Sequence, residues 1–124
     1  MFEEQKLTGE ILRCAYDVHS ALGPGLLERV YEECLFYEIA ESGLHVTRQE
    51  EMPIEYKGIE IEAGYRVDLL VENKVILELK AVAELHPLHI AQLFTYLKLS
   101  GCKIGYLINF NVKSLRDGIK RYSI

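Results

Sequence analysis

The sequence predicts an α/β fold in which a mixed central β-sheet is flanked by helices. Two segments with helical spacing of apolar residues open the chain, and a run of strand-forming residues follows them. A third helical segment then separates that run from further strand-forming residues, an order typical of helices packed on a sheet. With 124 residues, the chain is expected to form a single domain, residues 1–124.

The first two predicted elements are amphipathic helices. From about Glu4 to Leu22, apolar residues recur at helical spacing, and Gly23-Pro24-Gly25 ends the pattern. A second helix is predicted from about Leu26 to Ser42, with Gly43 as its stop. Each helix has one apolar stripe, so each is expected to bury one side.

The strand segments that follow carry their own edge and turn signals. The segment from Val46 to Tyr56 contains Pro53, which cannot donate a hydrogen bond within a sheet, so an edge strand or a bulge is predicted there. Lys57-Gly58 predicts a turn, and Ile59 to Glu62 a returning strand.

After the central segment, the chain predicts one helix and then further strands. Pro87 suits the first turn of a helix that runs to about Ser100 and ends at Gly101. A buried strand is predicted from Lys103 to Phe110 and a short final strand from Gly118 to Ile124. The predicted order is therefore two helices, four or five strands, a helix, and one or two strands.

The central segment from Tyr65 to Lys80 has charged residues where a sheet interior is apolar. Its pattern predicts two strands joined by a polar turn at residues 72–74. Lone charges inside a core cost several kcal/mol, so Asp68, Glu78 and Lys80 need a compensating partner. A divalent cation is such a partner.

The length of this turn decides whether the two acids meet. A two-residue loop at 72–73 would put the acids on opposite sides of the sheet, whereas a three-residue loop at 72–74 places Asp68 directly across from Glu78. The longer loop also brings six aliphatic residues onto one core face. The prediction is therefore the three-residue turn, with Asp68, Glu78 and Lys80 in one cluster. The six aliphatic residues are Val67, Leu69, Val71, Val75, Leu77 and Leu79.

Two carboxylates beside a lysine suit a hard, oxygen-preferring cation such as Mg²⁺ or Mn²⁺. Such a cation lowers the pKa of bound water and stabilises charge that grows on a phosphate, while the lysine orients the nucleophile or neutralises that charge. Phosphodiester hydrolysis uses these groups. A zinc hydrolase is disfavoured because the four histidines lack the spacing of a zinc motif. No nucleophile elbow is present either.

Two helices carry further candidate site residues. Glu28 falls in the first turn of its helix, where the helix dipole favours a carboxylate, and on the residues alone this structural role ranks ahead of catalysis. His89, Gln92 and Tyr96 form a polar stripe on the third helix. That helix has a single charged residue, so it is expected to be covered on both sides, with the polar stripe facing a cleft beside the acids. The alternative is a helix margin or an oligomer contact.

Charge is unevenly distributed along the chain, whose net charge is -5. Residues 1–62 hold 14 acids and 5 bases, whereas residues 103–124 hold 1 acid and 5 bases. The basic end either faces a phosphate backbone or offsets the acidic start. The three cysteines lack CxxC spacing, so free buried thiols are expected. No apolar run approaches the roughly 20 residues that span a bilayer, so a soluble, cytoplasmic protein is expected, and a homodimer is compatible with its small size.

Several motifs resemble those of a known superfamily. Asp68, followed after nine residues by Glu78-Leu79-Lys80, resembles the PD-(D/E)XK nuclease signature. Gln92 with Tyr96 is similar to the QxxxY helix motif of its RecB-like and lambda-exonuclease-like branch.

A narrower resemblance lies in the segment Gly25 to Tyr31. Its sequence GLLERVY matches the GxxExxY motif that names a small prokaryotic family of that superfamily. The similarity extends from about Ile11 to Arg121 and includes GYRVDLLV, ELKAV, AQLFTYLKLSG and GYLINFNV.

The resemblance implies a restriction-endonuclease-like sandwich with a site for Mg²⁺ or Mn²⁺. Asp68 and Glu78 would bind the metal, with the Leu79 carbonyl as a third ligand. Lys80 would be the catalytic lysine, and Glu28 a helix-borne acid near the metal, which reverses the ranking that the residues alone gave it.

The same resemblance implies a function. Gln92 and Tyr96 would position a nucleic-acid substrate, DNA rather than RNA, and the protein would hydrolyse phosphodiester bonds at ends or in single strands. The alternative is a non-catalytic nucleic-acid-binding or assembly module of the same fold. The complete acid-acid-lysine set favours the nuclease, because a scaffold has no need to bury those charges.

Overall fold

The computed structural model describes residues 2–124, so only the first residue of the predicted domain lies outside it. As predicted, two helices are followed by strands, a third helix and further strands. A short 3-10 helix at Leu115–Gly118 precedes the last strand. The elements are α1 (Phe2–Leu22), α2 (Glu28–Glu41), β1 (Val46–Tyr56), β2 (Ile59–Val71), β3 (Val75–Lys80), α3 (Pro87–Ser100), β4 (Ile104–Asn109) and β5 (Ile119–Ser123).

The five strands form one mixed sheet in the order β1-β2-β3-β4-β5. β3 and β4 pair in parallel, and the other neighbours pair antiparallel. Because α3 connects the two parallel strands, their carboxyl ends lie at the same edge of the sheet, where Lys80 pairs with Asn109. The Asn109 side chain donates to Val82 O at 2.9 Å and accepts from Val82 N at 3.1 Å, which fixes the chain as it leaves β3.

Helices cover both faces of the sheet, as the predicted sandwich requires. α1 and α2 pack on one face, where the fully buried residues include Ile11, Leu35 and Leu77. α3 packs on the other face, where Leu93 and Leu97 contact Ile76 and its neighbours. The α/β class with a mixed sheet is therefore confirmed.

The number of strands before α3 differs from the prediction. Three strands precede that helix instead of four or five, because β2 runs without interruption from Ile59 to Val71. Gly64 makes this continuity possible, since the side chain of Ile54 fills the space where a Cβ would lie. The edge strand or bulge predicted from Pro53 is confirmed, because β1 is an edge strand and its register with β2 shifts between Met52 and Ile54.

The expectation that α3 is covered on both sides is wrong within a single copy of the chain. Its inner side is buried, but Leu88 is 68% exposed and Phe94 and Leu99 are also exposed. A helix on the outer layer of a sandwich has the sheet on one side only, so its low charge does not imply a second covering layer.

Two smaller expectations are met by the part of the chain that the structure describes. All three cysteines are free, with Cys14 and Cys102 buried and Cys34 half-buried. None of the helices in residues 2–124 combines the length and the apolar character needed to cross a bilayer.

Candidate active site

The predicted three-residue turn between β2 and β3 is present. Val71 pairs with Val75, and the Lys74 amide donates to the Val71 carbonyl at 2.9 Å. Glu72 and Asn73 both adopt φ of 53°, a left-handed conformation that closes the loop. The register prediction made from turn length is therefore confirmed.

Beyond Leu69 and Leu77, side chains replace the backbone ladder between β2 and β3. The Asp68 amide donates to Glu78 Oε2 at 2.9 Å, and the Leu79 amide donates to Asp68 Oδ2 at 2.8 Å. The two acids are cross-strand neighbours, each of which accepts a hydrogen bond from the opposite strand. The carboxylates are thus fixed in place where the strands begin to separate.

The separation of the strands explains why one aliphatic residue departs from the predicted core face. Five of the six predicted residues pack against α1 and α2. Val67 instead packs with Tyr65 and Leu93 on the α3 side. Where β3 separates from β2, the pairing of β1 with β2 also skips Asp68, so the regular alternation of faces is broken between Leu69 and Val67.

Glu78 is the buried member of the carboxylate pair, with 6% of its surface exposed. Burial and the neighbouring charge of Asp68 raise the pKa of Glu78 to about 8, although the Lys80 charge acts in the opposite direction. Near neutral pH, this carboxyl therefore holds a proton unless a cation takes its place.

Glu28 reaches the same cluster from the start of α2, although its side chain is exposed. Partial burial raises the pKa of Glu28, the Lys80 charge lowers it and the Asp68 charge raises it, so all three groups lie near one another. A hydrogen bond from the Ala81 amide also lowers this pKa. The structure thus brings the α2 acid to the two strand-borne charges.

Tyr31 fixes the loop that sets the start of α2. Its hydroxyl donates to the Gly23 carbonyl at 2.6 Å and accepts from the Leu26 amide at 3.1 Å. Its ring is fully buried and stacks on Phe110 with a centroid distance of 4.6 Å. Within the GLLERVY segment, the tyrosine therefore holds the backbone that presents Glu28.

The α3 stripe is only partly turned toward the acids. Burial and the charges of Glu78 and Asp68 raise the pKa of Tyr96, which indicates that its hydroxyl lies near both acids. Its ring stacks on Tyr65 at 4.4 Å. Gln92, one turn earlier on α3, has an exposed side chain.

His89 takes part in the cap at the start of α3, and its pKa is lowered by burial and by the nearby charge of Lys80. Its Nδ1 accepts a hydrogen bond from the His86 amide at 3.2 Å, and His86 Nδ1 accepts from the Leu88 amide at 3.0 Å. Each histidine satisfies an amide that the helix leaves unpaired, so both serve as caps.

Two residues that the sequence did not single out support Asp68. Gln49 Nε2 donates to Glu32 Oε1 at 2.7 Å and to Asp68 Oδ1 at 3.3 Å. Glu32 is buried and also accepts from Arg48 at 3.2 Å. The one available signal was the position of Glu32, four residues after Glu28, which puts both acids on one side of α2.

The basic residues near the carboxyl terminus do not share one edge. All five are exposed, but Lys103 precedes β4 at the edge away from Lys80, whereas Lys113 and Arg116 follow β4 at the same edge as Lys80. Arg121 contacts Tyr106 and Glu4. Only part of the basic segment therefore borders the candidate site.

Among residues 2–124, no group of three or more histidine, cysteine, aspartate or glutamate side chains has the arrangement of a complete metal site. The adjacent carboxylates of Asp68 and Glu78 nevertheless form the hard oxygen pair that Mg²⁺ and Mn²⁺ prefer. A divalent cation between them would offset the repulsion that raises the pKa of Glu78. The donor set therefore fits a divalent cation that also takes water or substrate oxygens.

Comparison with known proteins assigns the chain to a family. The family model of the PD-(D/E)XK nuclease superfamily matches residues 5–122, nearly the whole chain. Comparison with curated proteins and with solved structures finds no match. The match covers both strands of the carboxylate pair and all three helices, and the protein belongs to the PD-(D/E)XK nuclease superfamily.

Proposed function

We propose that this protein is a metal-dependent nuclease that hydrolyses phosphodiester bonds in DNA. The observation that carries the proposal is the carboxylate pair of Asp68 and Glu78, held across two separating strands with Lys80 next along β3. An acid pair with a buried member destabilises a metal-free fold, so its presence favours a site that binds a cation. Superfamily membership favours the same reading.

Asp68 and Glu78 are the proposed metal ligands, with the Leu79 carbonyl and Glu28 completing the set. When bound, Mg²⁺ or Mn²⁺ supplies a more acidic water and stabilises negative charge on the phosphate. The hydrogen bonds from the Asp68 and Leu79 amides orient the two carboxylates before the cation arrives. Such preorganisation lowers the reorganisation needed during the reaction.

Lys80 and Glu28 are proposed to act on the reacting groups. Lys80 is half-buried and lies near the carboxylates, where its charge neutralises the developing negative charge or orients the attacking water. Glu28 has a raised pKa and an exposed side chain, which suits a group that accepts a proton from water.

Gln92 and Tyr96 are proposed to position the substrate. The Tyr96 ring stacks on Tyr65 and its pKa is raised by burial and by the charges of Glu78 and Asp68, which supports a place for Tyr96 beside the reacting phosphate, and Gln92 is exposed one turn earlier on the same helix. The proposed substrate is DNA, cleaved at ends or in single strands. Lys113 and Arg116, which follow β4 at this edge of the sheet, are exposed and are proposed to contact the phosphate backbone.

The test is a cleavage assay with a matched inactive variant. Purified protein is incubated with single- and double-stranded DNA and RNA in Mg²⁺ and in Mn²⁺, beside Lys80→Ala. Cleavage by the wild-type protein alone, on DNA above RNA, supports the proposal. Equal trace cleavage by both proteins identifies a contaminant. In that case, the function becomes that of a non-catalytic nucleic-acid-binding or assembly module of the same fold.

A further inference from the structure

Gln49 adopts a backbone conformation that its residue type disfavours. Its φ is 49°, in the left-handed region that non-glycine residues enter at a cost. It lies within β1 between Arg48, which pairs with Leu69, and Glu50, which pairs with Val67. The register therefore puts Gln49 opposite Asp68, at the one place in this stretch where the pairing is interrupted.

The side chain of Gln49 compensates for this conformation by joining two carboxylates on different elements. Both N–H groups of its amide are used, one on Glu32 Oε1 of α2 at 2.7 Å and one on Asp68 Oδ1 of β2 at 3.3 Å. Glu32 is 8% exposed, so the shorter bond has a nearly fixed anchor. Arg48 binds the other oxygen of Glu32 and holds that anchor in turn.

Asp68 is thereby held at both of its oxygens. Oδ2 accepts from the Leu79 amide at 2.8 Å, and Oδ1 accepts from Gln49. With one oxygen fixed by the backbone and the other by Gln49, the plane of the carboxylate has little freedom to rotate. An outer hydrogen bond of this kind sets the orientation of a metal-binding carboxylate.

We infer that Gln49 is a positioning residue for Asp68, which acts through the chain of hydrogen bonds from Glu32 to Gln49 to Asp68. This inference rests on the proposed function insofar as Asp68 binds a metal. It adds a residue outside the recognised motifs to the site. It also gives a reason for a glutamine, instead of a glycine, at a left-handed position, because its amide donates to both acids.

The experiment measures Mn²⁺ affinity by titration calorimetry on folded protein, so that changes in metal-free stability do not enter. Gln49→Gly relieves the left-handed backbone and removes the amide, whereas Gln49→Met keeps the length and removes both N–H donors. Each variant should bind Mn²⁺ about 10- to 100-fold more weakly, the effect typical of losing an outer partner of a ligand.

Lys57→Gly is the matched control. Lys57 also has a left-handed φ, 51°, but lies at the tip of the β1–β2 hairpin over the Tyr56 ring. Its variant should keep the wild-type Mn²⁺ affinity. If both Gln49 variants bind Mn²⁺ as tightly as the wild-type protein, Gln49 only holds α2 against β1 and the inference is overturned.

A metal-free measurement separates this inference from the proposed function. The two side-chain amide protons of Gln49 are identified in an ¹⁵N spectrum by their loss in Gln49→Met, and Asp68→Asn should shift both signals. Failure of the wild-type protein to bind Mn²⁺ contradicts the proposed metal site. Amide signals that do not move in Asp68→Asn contradict the bridge, whatever the metal result.

Discussion

Asp68 and Glu78 are held by each other's strands: the Asp68 amide donates to the Glu78 carboxylate at 2.9 Å, and the Leu79 amide donates to the Asp68 carboxylate at 2.8 Å. These two bonds take the place of ladder bonds that the separating strands no longer make. The acid pair is therefore formed by the backbone itself and is in place without a cation.

Asp68→Ala should abolish both the stabilisation by Mn²⁺ and the cleavage of DNA. A ligand that binds only the native state raises the melting temperature, so loss of the ligand set removes that rise. Thermal melts with EDTA and with millimolar Mn²⁺ measure the first effect, and a nuclease assay measures the second. A full Mn²⁺ shift in Asp68→Ala would rule this residue out as a ligand.

The metal-free melt needs its own control, because alanine also leaves the Leu79 amide without an acceptor. Such a buried unpaired donor costs about 1–3 kcal/mol. Asp68→Asn keeps an acceptor oxygen and removes the repulsion with Glu78. In EDTA, Asp68→Asn should therefore melt at a higher temperature than Asp68→Ala.

Glu78→Gln should change how metal-free stability depends on pH. The pKa of Glu78 is raised from 4.5 to about 8 in the folded protein, so folding favours the protonated acid. The contribution of the protonated Glu78 to the stability of the fold is fully present below pH 4.5 and is lost as pH rises toward about 8. In EDTA, the melting temperature of Glu78→Gln should thus equal that of the wild-type protein near pH 4.5 and exceed it near pH 8. Equal melting temperatures at both ends would contradict the raised pKa.

Lys80→Ala should separate binding from chemistry. If Lys80 acts on the reacting phosphate, this variant keeps its Mn²⁺-induced rise in melting temperature while cleavage falls by about a hundredfold or more. Parallel melts and single-turnover cleavage give both quantities. An equal loss of metal stabilisation in Lys80→Ala and Asp68→Ala would assign the lysine to the metal site instead.

Tyr31→Phe should lower stability because the Gly23 carbonyl and the Leu26 amide both lose their partner. The expected loss is about 1–3 kcal/mol in the free energy of unfolding, measured by urea titration. Because this loop presents Glu28, cleavage should fall as well. Tyr37→Phe, on the same helix but 59% exposed, is the control and should change neither quantity.

Gln92→Ala should weaken substrate binding and leave the metal site intact. The side chain is exposed one turn before Tyr96, so its removal leaves the fold and the Mn²⁺ shift unchanged. Fluorescence anisotropy with labelled single-stranded DNA in Ca²⁺ measures the affinity. The exposed neighbour Thr95 gives the control Thr95→Ala, and identical affinities for the two variants would exclude a substrate role for Gln92.

The main features of the site followed from local patterns. Strand alternation has a fixed period of two, so the choice of a three-residue turn was enough to put Asp68 across from Glu78. The same reasoning failed at Val67, because the pairing of β1 with β2 is interrupted at Asp68 and the alternation of faces is broken there. It also failed for the number of strands, since the packing of Ile54 over Gly64 is a tertiary contact.

Other features depend on contacts between residues far apart in the sequence, so they cannot be predicted from the spacing of neighbouring residues. The left-handed turn at Gln49 is held by Glu32, 17 positions away, and by Asp68, 19 positions away. Likewise, helical periodicity placed Tyr31 on an apolar side, but its hydroxyl bonds require the folded loop at Gly23. Polar positioning of this kind is set by the assembled fold.

The exposed edge of β1 has a consequence for how two copies of this protein meet. β1 is the edge strand of the sheet, it contains Pro53, and its Glu55 lies opposite Glu60 within the hairpin. Two such edges brought together would align like charges, and the proline would leave a gap in their hydrogen bonds. Addition of a strand from a second copy at β1 is thereby disfavoured.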